Sequence, residues 1–196
     1  PYIDRDTTPE DQLRYQTVYA NKRLQQSVAA PTAGLHFDLP MLHELEKIGL
    51  KIRYLSLHVG AGTYTPVTSE DITKHKMHAE EVVVDKELVQ EILAVKQQSG
   101  KVFAVGTTTL RALEATFLDS RPEFKGSTDL FIYPGFQFKV VDYLLTNFHQ
   151  PKSSLLMLVA AFIGLENLQK IYAEAIEMQY RFLSYGDAML LERHDL

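Results

Sequence analysis

The sequence predicts an α/β fold, and three observations carry that prediction. Apolar patterns of period two and of helical spacing mostly alternate along the chain, which favours an α/β sheet or barrel over segregated layers. Residues 102–105, Val-Phe-Ala-Val, read as a strand buried on both faces that turns through Gly106 directly into a helix. No internal repeat, low-complexity segment or Gly/Pro/Ser-rich linker divides the 196 residues, a length that suits one domain with a sizeable core or at most two small ones.

The elements follow in order. Residues 5–24 are polar and mixed in charge, and Leu13, Tyr15, Val18 and Tyr19 give a weak helical face beside Arg14 and Arg23. The run Ser-Val-Ala-Ala-Pro-Thr-Ala-Gly-Leu-His-Phe at residues 27–37 suits neither a packed helix nor a strand. Asp38 caps the next helix, Pro40 sits in its first turn, Leu42, Leu45 and Ile48 share a face, and Gly49 closes it. Residues 50–59 alternate as a strand, and 81–84 form another. A helix at 86–98 carries Val89, Ile92, Leu93 and Lys96 on one side, ahead of Gly100. After the 102–105 strand and the helix with Leu110, Leu113 and Phe117, residues 120–128 read as a loop. Residues 130–133, 136–141 and 144–148 read as three short strands. Ser153 or Ser154 caps an apolar helix over 155–163, an amphipathic helix spans 166–182, and 184–189 is one more strand or loop.

Composition removes several classes of function. Apolar residues at 45% and charged residues at 23% are ordinary for a globular chain. The absence of cysteine excludes disulfides, Cys-ligated zinc, iron–sulfur clusters and thiol nucleophiles, and fits a reducing cytoplasm. The longest apolar stretch, 155–165, is shorter than the ~20 residues a bilayer span needs, so no membrane association is expected. With a net charge of −5, any nucleic-acid partner needs a local basic patch. The start, Pro1-Tyr2-Ile3, reads as a processed N-terminus or as a piece of a longer protein.

Several segments could carry chemistry. Gly106, Thr107 and Thr108 at a strand–helix turn offer outward N–H groups and hydroxyls to an anion, with Arg111 in reinforcement; the alternative is a threonine cap without a ligand. His58, Gly60, Gly62 and Thr63 end a strand where glycines let a ligand approach, or form a plain turn. His75 and His78 are spaced for a metal, but no third ligand is evident nearby; a solvated or acid–base role is the alternative, and Glu80 follows. Asn147 and His149 end another strand before Pro151; His149 is an acid–base candidate, or both residues satisfy backbone groups. Tyr180, Arg181, Tyr185 and Asp187 surround Gly186; the aromatic faces suit a nucleobase and Arg181 and Asp187 could pair or bind substrate, or the group packs as core aromatics with a surface ion pair. The small residues of 27–37, with Pro31, Gly34 and His36, suit close backbone contact with a ligand. A metal-dependent hydrolase using His58, His75 and His78, or a non-catalytic tRNA-binding module, are the competing readings.

Together these segments carry a resemblance. The blocks at 14–20, 28–37, 57–63, 75–80, 104–108, 130–135, 146–149, 155–159 and 180–189 are similar, in order, to those of the S-adenosylmethionine:tRNA ribosyltransferase-isomerase family of queuosine biosynthesis. Ala-Ala-Pro-Thr-Ala-Gly-Leu-His-Phe and Tyr-Arg-Phe-Leu-Ser-Tyr-Gly-Asp-Ala-Met are its most specific stretches.

The resemblance implies a reaction. The ribosyl part of S-adenosylmethionine is transferred to 7-aminomethyl-7-deazaguanine in a GUN anticodon of tRNA and isomerised to an epoxycyclopentane, and adenine and methionine leave. S-adenosylmethionine is a co-substrate, and no metal is implied. The resemblance also implies a partial barrel-like α/β domain lacking the N-terminal segment and inserted small β domain usual for the family. Residues 1–196 are thus expected to be one portion of the catalytic domain of a longer enzyme. It implies His36, His58, His78, Glu80 and His149 as candidate acids and bases. Arg14, Ala30, Pro31, Thr32, Gly34, Gly60, Gly62, Thr63, Gly106, Thr107, Thr108, Arg111, Asn147, Tyr180, Arg181, Tyr185 and Asp187 are candidate substrate contacts.

Overall fold

The computed structural model describes residues 5–6, 8–21, 29–58, 79–118 and 120–194. Their strands form two three-stranded sheets. One has the order β1-β2-β4 and is antiparallel, with β1 at Ser56–His58, β2 at Glu80–Val84 and β4 at Phe124–Thr128. The other has the order β3-β5-β6, with β3 at Phe103–Val105, β5 at Tyr143–Asn147 and β6 at Ala188–Glu192. Strands β3 and β5 run parallel, and β6 is antiparallel to β5.

Helix α4, Thr107–Leu118, joins the two layers because it is buried on opposite faces. Leu110 and Leu113 pack into a large core with Leu144, Val159 and Phe162. Ala112 faces a smaller core with Val82, Val84, Val89 and Phe124. Strand β2 alternates as a half-buried strand should: Glu80, Val82 and Val84 point in, and Glu81 points out.

The remaining helices follow their caps. Helix α1, Pro9–Arg14, begins with a reciprocal Thr8–Asp11 capping box. It is shorter than the weak face expected over 5–24, of which 22–24 lie outside the described residues. Asp38 caps α2, Leu39–Lys47, through the N–H of Met41. Helix α3, Lys86–Gln97, matches its expected span within a residue. Ser153 caps α5, Ser154–Ile163, and the chain bends by 114° at Gly164 into α6, Leu165–Glu177. Among the described residues no single helix is long and apolar enough to cross a membrane.

Five expectations need correction. The 102–105 strand is not buried on both faces: β3 is an edge strand of its sheet among the described residues, and Phe103 is 50% exposed. The 50–59 strand is confined to Ser56–His58 among its described residues. Residues 120–128 contain a strand: β4 pairs with β2 from Glu80↔Thr128 to Val84↔Phe124, and it looks like a loop because only Phe124 and Thr128 point inward. Conversely, 130–133 and 136–141 form no strand. The Glu114 carboxylate on α4 accepts from the N–H groups of Lys139 at 2.7 Å, Val140 at 3.1 Å and Val141 at 3.0 Å, taking donors that a sheet ladder would use. Helix α6 ends at Glu177, five residues before Phe182, since Gln179 adopts left-handed backbone at φ 59°.

Candidate functional site

Three stretches that are far apart in sequence converge on one cleft of about 110 Å³. Ala29–Ala33 supply one wall, the Gly106–Thr108 turn a second, and the stretch from Thr146 to Gln150 a third, with Ser153, Leu155, Leu183 and Ser184 completing the lining. The parallel strands β3 and β5 both point their carboxyl ends at it. Helix α4 starts there, so its first N–H groups, which have no intrahelical acceptor, lie at the cleft wall. Gly106 makes the turn possible at φ 91°, a conformation that side chains disfavour, and its N–H donates to the Leu145 carbonyl at 2.9 Å.

Asn147 is the hub of the polar side chains. It ends β5 and is buried. Thr32, in the 3₁₀ turn Thr32–His36, donates its hydroxyl to Asn147 Oδ1 at 2.9 Å. Asn147 Nδ2 lies 3.2 Å from His36 Nε2 and 3.5 Å from the Asp187 carbonyl oxygen. The Asp187 carboxylate in turn accepts from the Arg181 N–H at 2.7 Å and from its guanidinium at 2.8 Å. That pairing holds the Asp187 carboxyl below the usual range. The segments at 32–36, 147 and 181–187 are therefore tied into one network at the edge of the cleft, with His36 exposed at its end.

His149 lies in the cleft wall. Its Nε2 is 2.9 Å from Thr146 Oγ1, and its backbone N–H donates to the Tyr172 hydroxyl at 2.9 Å. Burial lowers the His149 pKa to about 4, so the ring is neutral at neutral pH. Phe148, Tyr172 and Phe182 pack tightly beneath it, with ring centroids 5.0–5.7 Å apart.

Other candidates lie elsewhere. Glu80 and Arg111 form a buried ion pair with each other between β2 and α4, and neither lines the cleft. Gly34 does not line it either: a side chain there would collide with the Tyr19 hydroxyl, so packing alone requires the glycine. Arg14 is exposed and paired with Glu10. Tyr180 and Tyr185 are part-exposed, Tyr185 leaning on Tyr15 at 5.8 Å. His58 ends β1 opposite Glu81, and its Nδ1 is buried without a partner among the described residues. Gly60, Gly62, Thr63, His75 and His78 lie outside the described residues, and among those described no cluster of three or more His, Asp or Glu could hold a metal. The cleft also contains Thr146, Gln150, Ser153 and Ser184, which sequence reasoning missed. Thr146 and Ser184 left a signal, since both lie within the matched blocks 146–149 and 180–189.

A polar cleft at the carboxyl ends of parallel strands and the start of the following helix is where α/β folds bind small ligands. The chain belongs to the queuosine biosynthesis protein family, whose model matches residues 1–191. It is 52% identical over its whole length to an S-adenosylmethionine:tRNA ribosyltransferase-isomerase of Burkholderia ambifaria, of which it covers 56%. It is 55% identical over 97% of its length to the protein of that name from Aromatoleum aromaticum, of which it covers 55%. The fold is similar to the crystal structure of an S-adenosylmethionine tRNA ribosyltransferase from Thermotoga maritima, with a TM-score of 0.67 and 42% identity, over 81% of this chain and 50% of that one. The chain thus spans little more than half the length of the relatives it matches.

Proposed function

We propose that this chain supplies one wall of the active site of an S-adenosylmethionine:tRNA ribosyltransferase-isomerase. The observation that carries the reading is the convergence of 29–33, 106–108 and 146–150 on one cleft, in a chain of the queuosine biosynthesis family. The sulfonium of S-adenosylmethionine acidifies the C5′ hydrogen, so the reaction needs a group to take that proton and a donor for the departing adenine. His149, neutral at neutral pH, suits the first task, and His36 suits the second. The N–H groups at the start of α4, with Thr107 and Thr108, suit the methionine carboxylate.

The cleft of about 110 Å³ is smaller than the ~300–1,000 Å³ of sites that enclose a drug-sized ligand. It therefore suits part of the co-substrate, and the rest of the relatives' length would supply the facing wall. In this reading the two sheets are a portion of a larger barrel-like domain that also carries a small inserted β domain. The remaining substrate is a tRNA whose GUN anticodon bears 7-aminomethyl-7-deazaguanine, and the reaction takes place in the cytoplasm without a metal.

The test is adenine release from S-adenosylmethionine by the full-length enzyme with substrate tRNA. His149→Ala is expected to lower turnover by about 100-fold, the low end for loss of an acid–base group. Near-normal turnover in both His149→Ala and His36→Ala would remove the cleft from the chemistry.

A further inference from the structure

We propose that Asn147 is a positioning residue that fixes the tautomer of His36, so that His36 meets the co-substrate as a hydrogen-bond donor through Nδ1–H. The identity of the ligand rests on the ribosyl-transfer reading above; the tautomer does not.

The argument runs through hydrogen-bond polarity. The Asp187 carbonyl oxygen can only accept, so the Asn147 atom facing it is the amide nitrogen. The Asn147 carbonyl oxygen therefore faces Thr32, whose hydroxyl donates to it. The Thr32 hydroxyl can donate or accept and fits that orientation, so the Asp187 carbonyl alone decides how the buried amide is turned. Asn147 Nδ2 then presents its other hydrogen to His36 Nε2, 3.2 Å away. A nitrogen receiving that hydrogen bond must offer its lone pair, so the ring proton of neutral His36 sits on Nδ1. His36 is exposed and makes no other hydrogen bond among the described residues, which leaves Nδ1–H open to a ligand.

A ring held this way has its only lone pair occupied and is not placed to take the C5′ proton. It is placed to donate to an acceptor atom of the nucleoside, where negative charge gathers as a base departs. Thr32, Asn147 and the Asp187 carbonyl thus act through His36.

The tautomer can be read directly in the full-length enzyme labelled with ¹⁵N-histidine, by two-bond ¹H–¹⁵N correlation, with the His36 signal assigned by its loss in His36→Gln. The expected result is an Nδ1–H ring in the native enzyme. Asn147→Asp, whose carboxylate can only accept, is expected to move the proton to Nε2. Thr32→Val, which leaves Asn147 in place but removes its anchor, is expected to give a mixture of tautomers. In kinetics, Asn147→Ala is expected to lower kcat for adenine release by about 100-fold, as for a displaced reacting group, with KM for S-adenosylmethionine little changed. An Nε2–H ring in the native enzyme overturns the proposal, as does a native-like ring in both Asn147→Asp and Thr32→Val. An Nδ1–H ring in an enzyme that releases no adenine would sustain the tautomer and overturn the ribosyl-transfer reading instead.

Discussion

Two buried polar clusters lie on either side of α4, and they end differently. Glu80 and Arg111 close on each other, with side chains 2% and 4% exposed. The Thr32–Asn147–His36 cluster is equally buried at Asn147 but ends on an exposed imidazole beside a cleft. The ion pair faces no cleft, with Arg111 Nε buried and without a hydrogen-bond partner among the described residues, and its consequence is structural: it ties β2 to α4 across the small core. An open chain of hydrogen bonds has a directed group left over, and that group can act on a ligand. Residue type does not separate the two, because both contain the kinds of side chain that enzymes use.

Breaking the closed cluster should have the largest effect. Arg111→Ala removes the guanidinium from the buried Glu80 carboxylate, and is expected to cost about 3–5 kcal/mol in urea denaturation of the full-length enzyme. Replacing both residues by apolar side chains of similar volume is expected to recover most of that loss, because no charge is then stranded. If Arg111→Ala costs less than about 1 kcal/mol, the range of an exposed pair, the pair does not hold β2 to α4 as described.

The same contrast explains what could be read in advance. The three walls of the cleft were legible because 106–108 and 146–149 combine hydroxyl residues with a strand–helix junction, and 29–33 combines small residues and a proline in a run that suits neither element. Helices α2 and α5 were legible from their caps and apolar spacing, and α3 from its spacing. The partners of Glu80 and Glu114 were not. Arg111 is 31 positions from Glu80, and the N–H groups that Glu114 gathers lie 25 to 27 positions away. Alternation in 136–141 records which side chains are apolar, but Glu114 takes the backbone donors that would decide for a strand. Strand β4 was missed for the opposite reason, since its ladder with β2 runs through exposed Lys125, Gly126 and Ser127, and the inward position at Gly126 carries no side chain.

An intermediate effect sharpens the open side through pH. His149 is held neutral by burial, its pKa lowered from the usual 6.5 to about 4. Between those values the unfolded chain binds a proton that the folded chain refuses, so stability from this group is full above pH 6.5 and falls as pH drops towards 4. The loss between pH 7 and pH 5 is expected to be roughly 2 kcal/mol. His149→Gln should flatten this part of the stability–pH curve, measured by denaturant midpoints at the two pH values. An unchanged slope would mean that the ring is not sealed from water.

The smallest effect is expected at Arg181, where the comparison is most easily upset. Its guanidinium is 75% exposed yet already paired with Asp187, so the pair brings no net charge to the tRNA proposed as substrate. Its structural contribution is to hold the 181–187 turn, where the Asp187 carbonyl faces Asn147. Arg181→Ala is therefore expected to leave stability near wild type and to leave the salt dependence of tRNA binding unchanged. A residue that neutralised a phosphate would instead reduce the slope of log K against log salt by about 1 when removed. Measuring that slope for both proteins decides whether the pair belongs with the closed clusters, as its geometry indicates, or whether tRNA opens it.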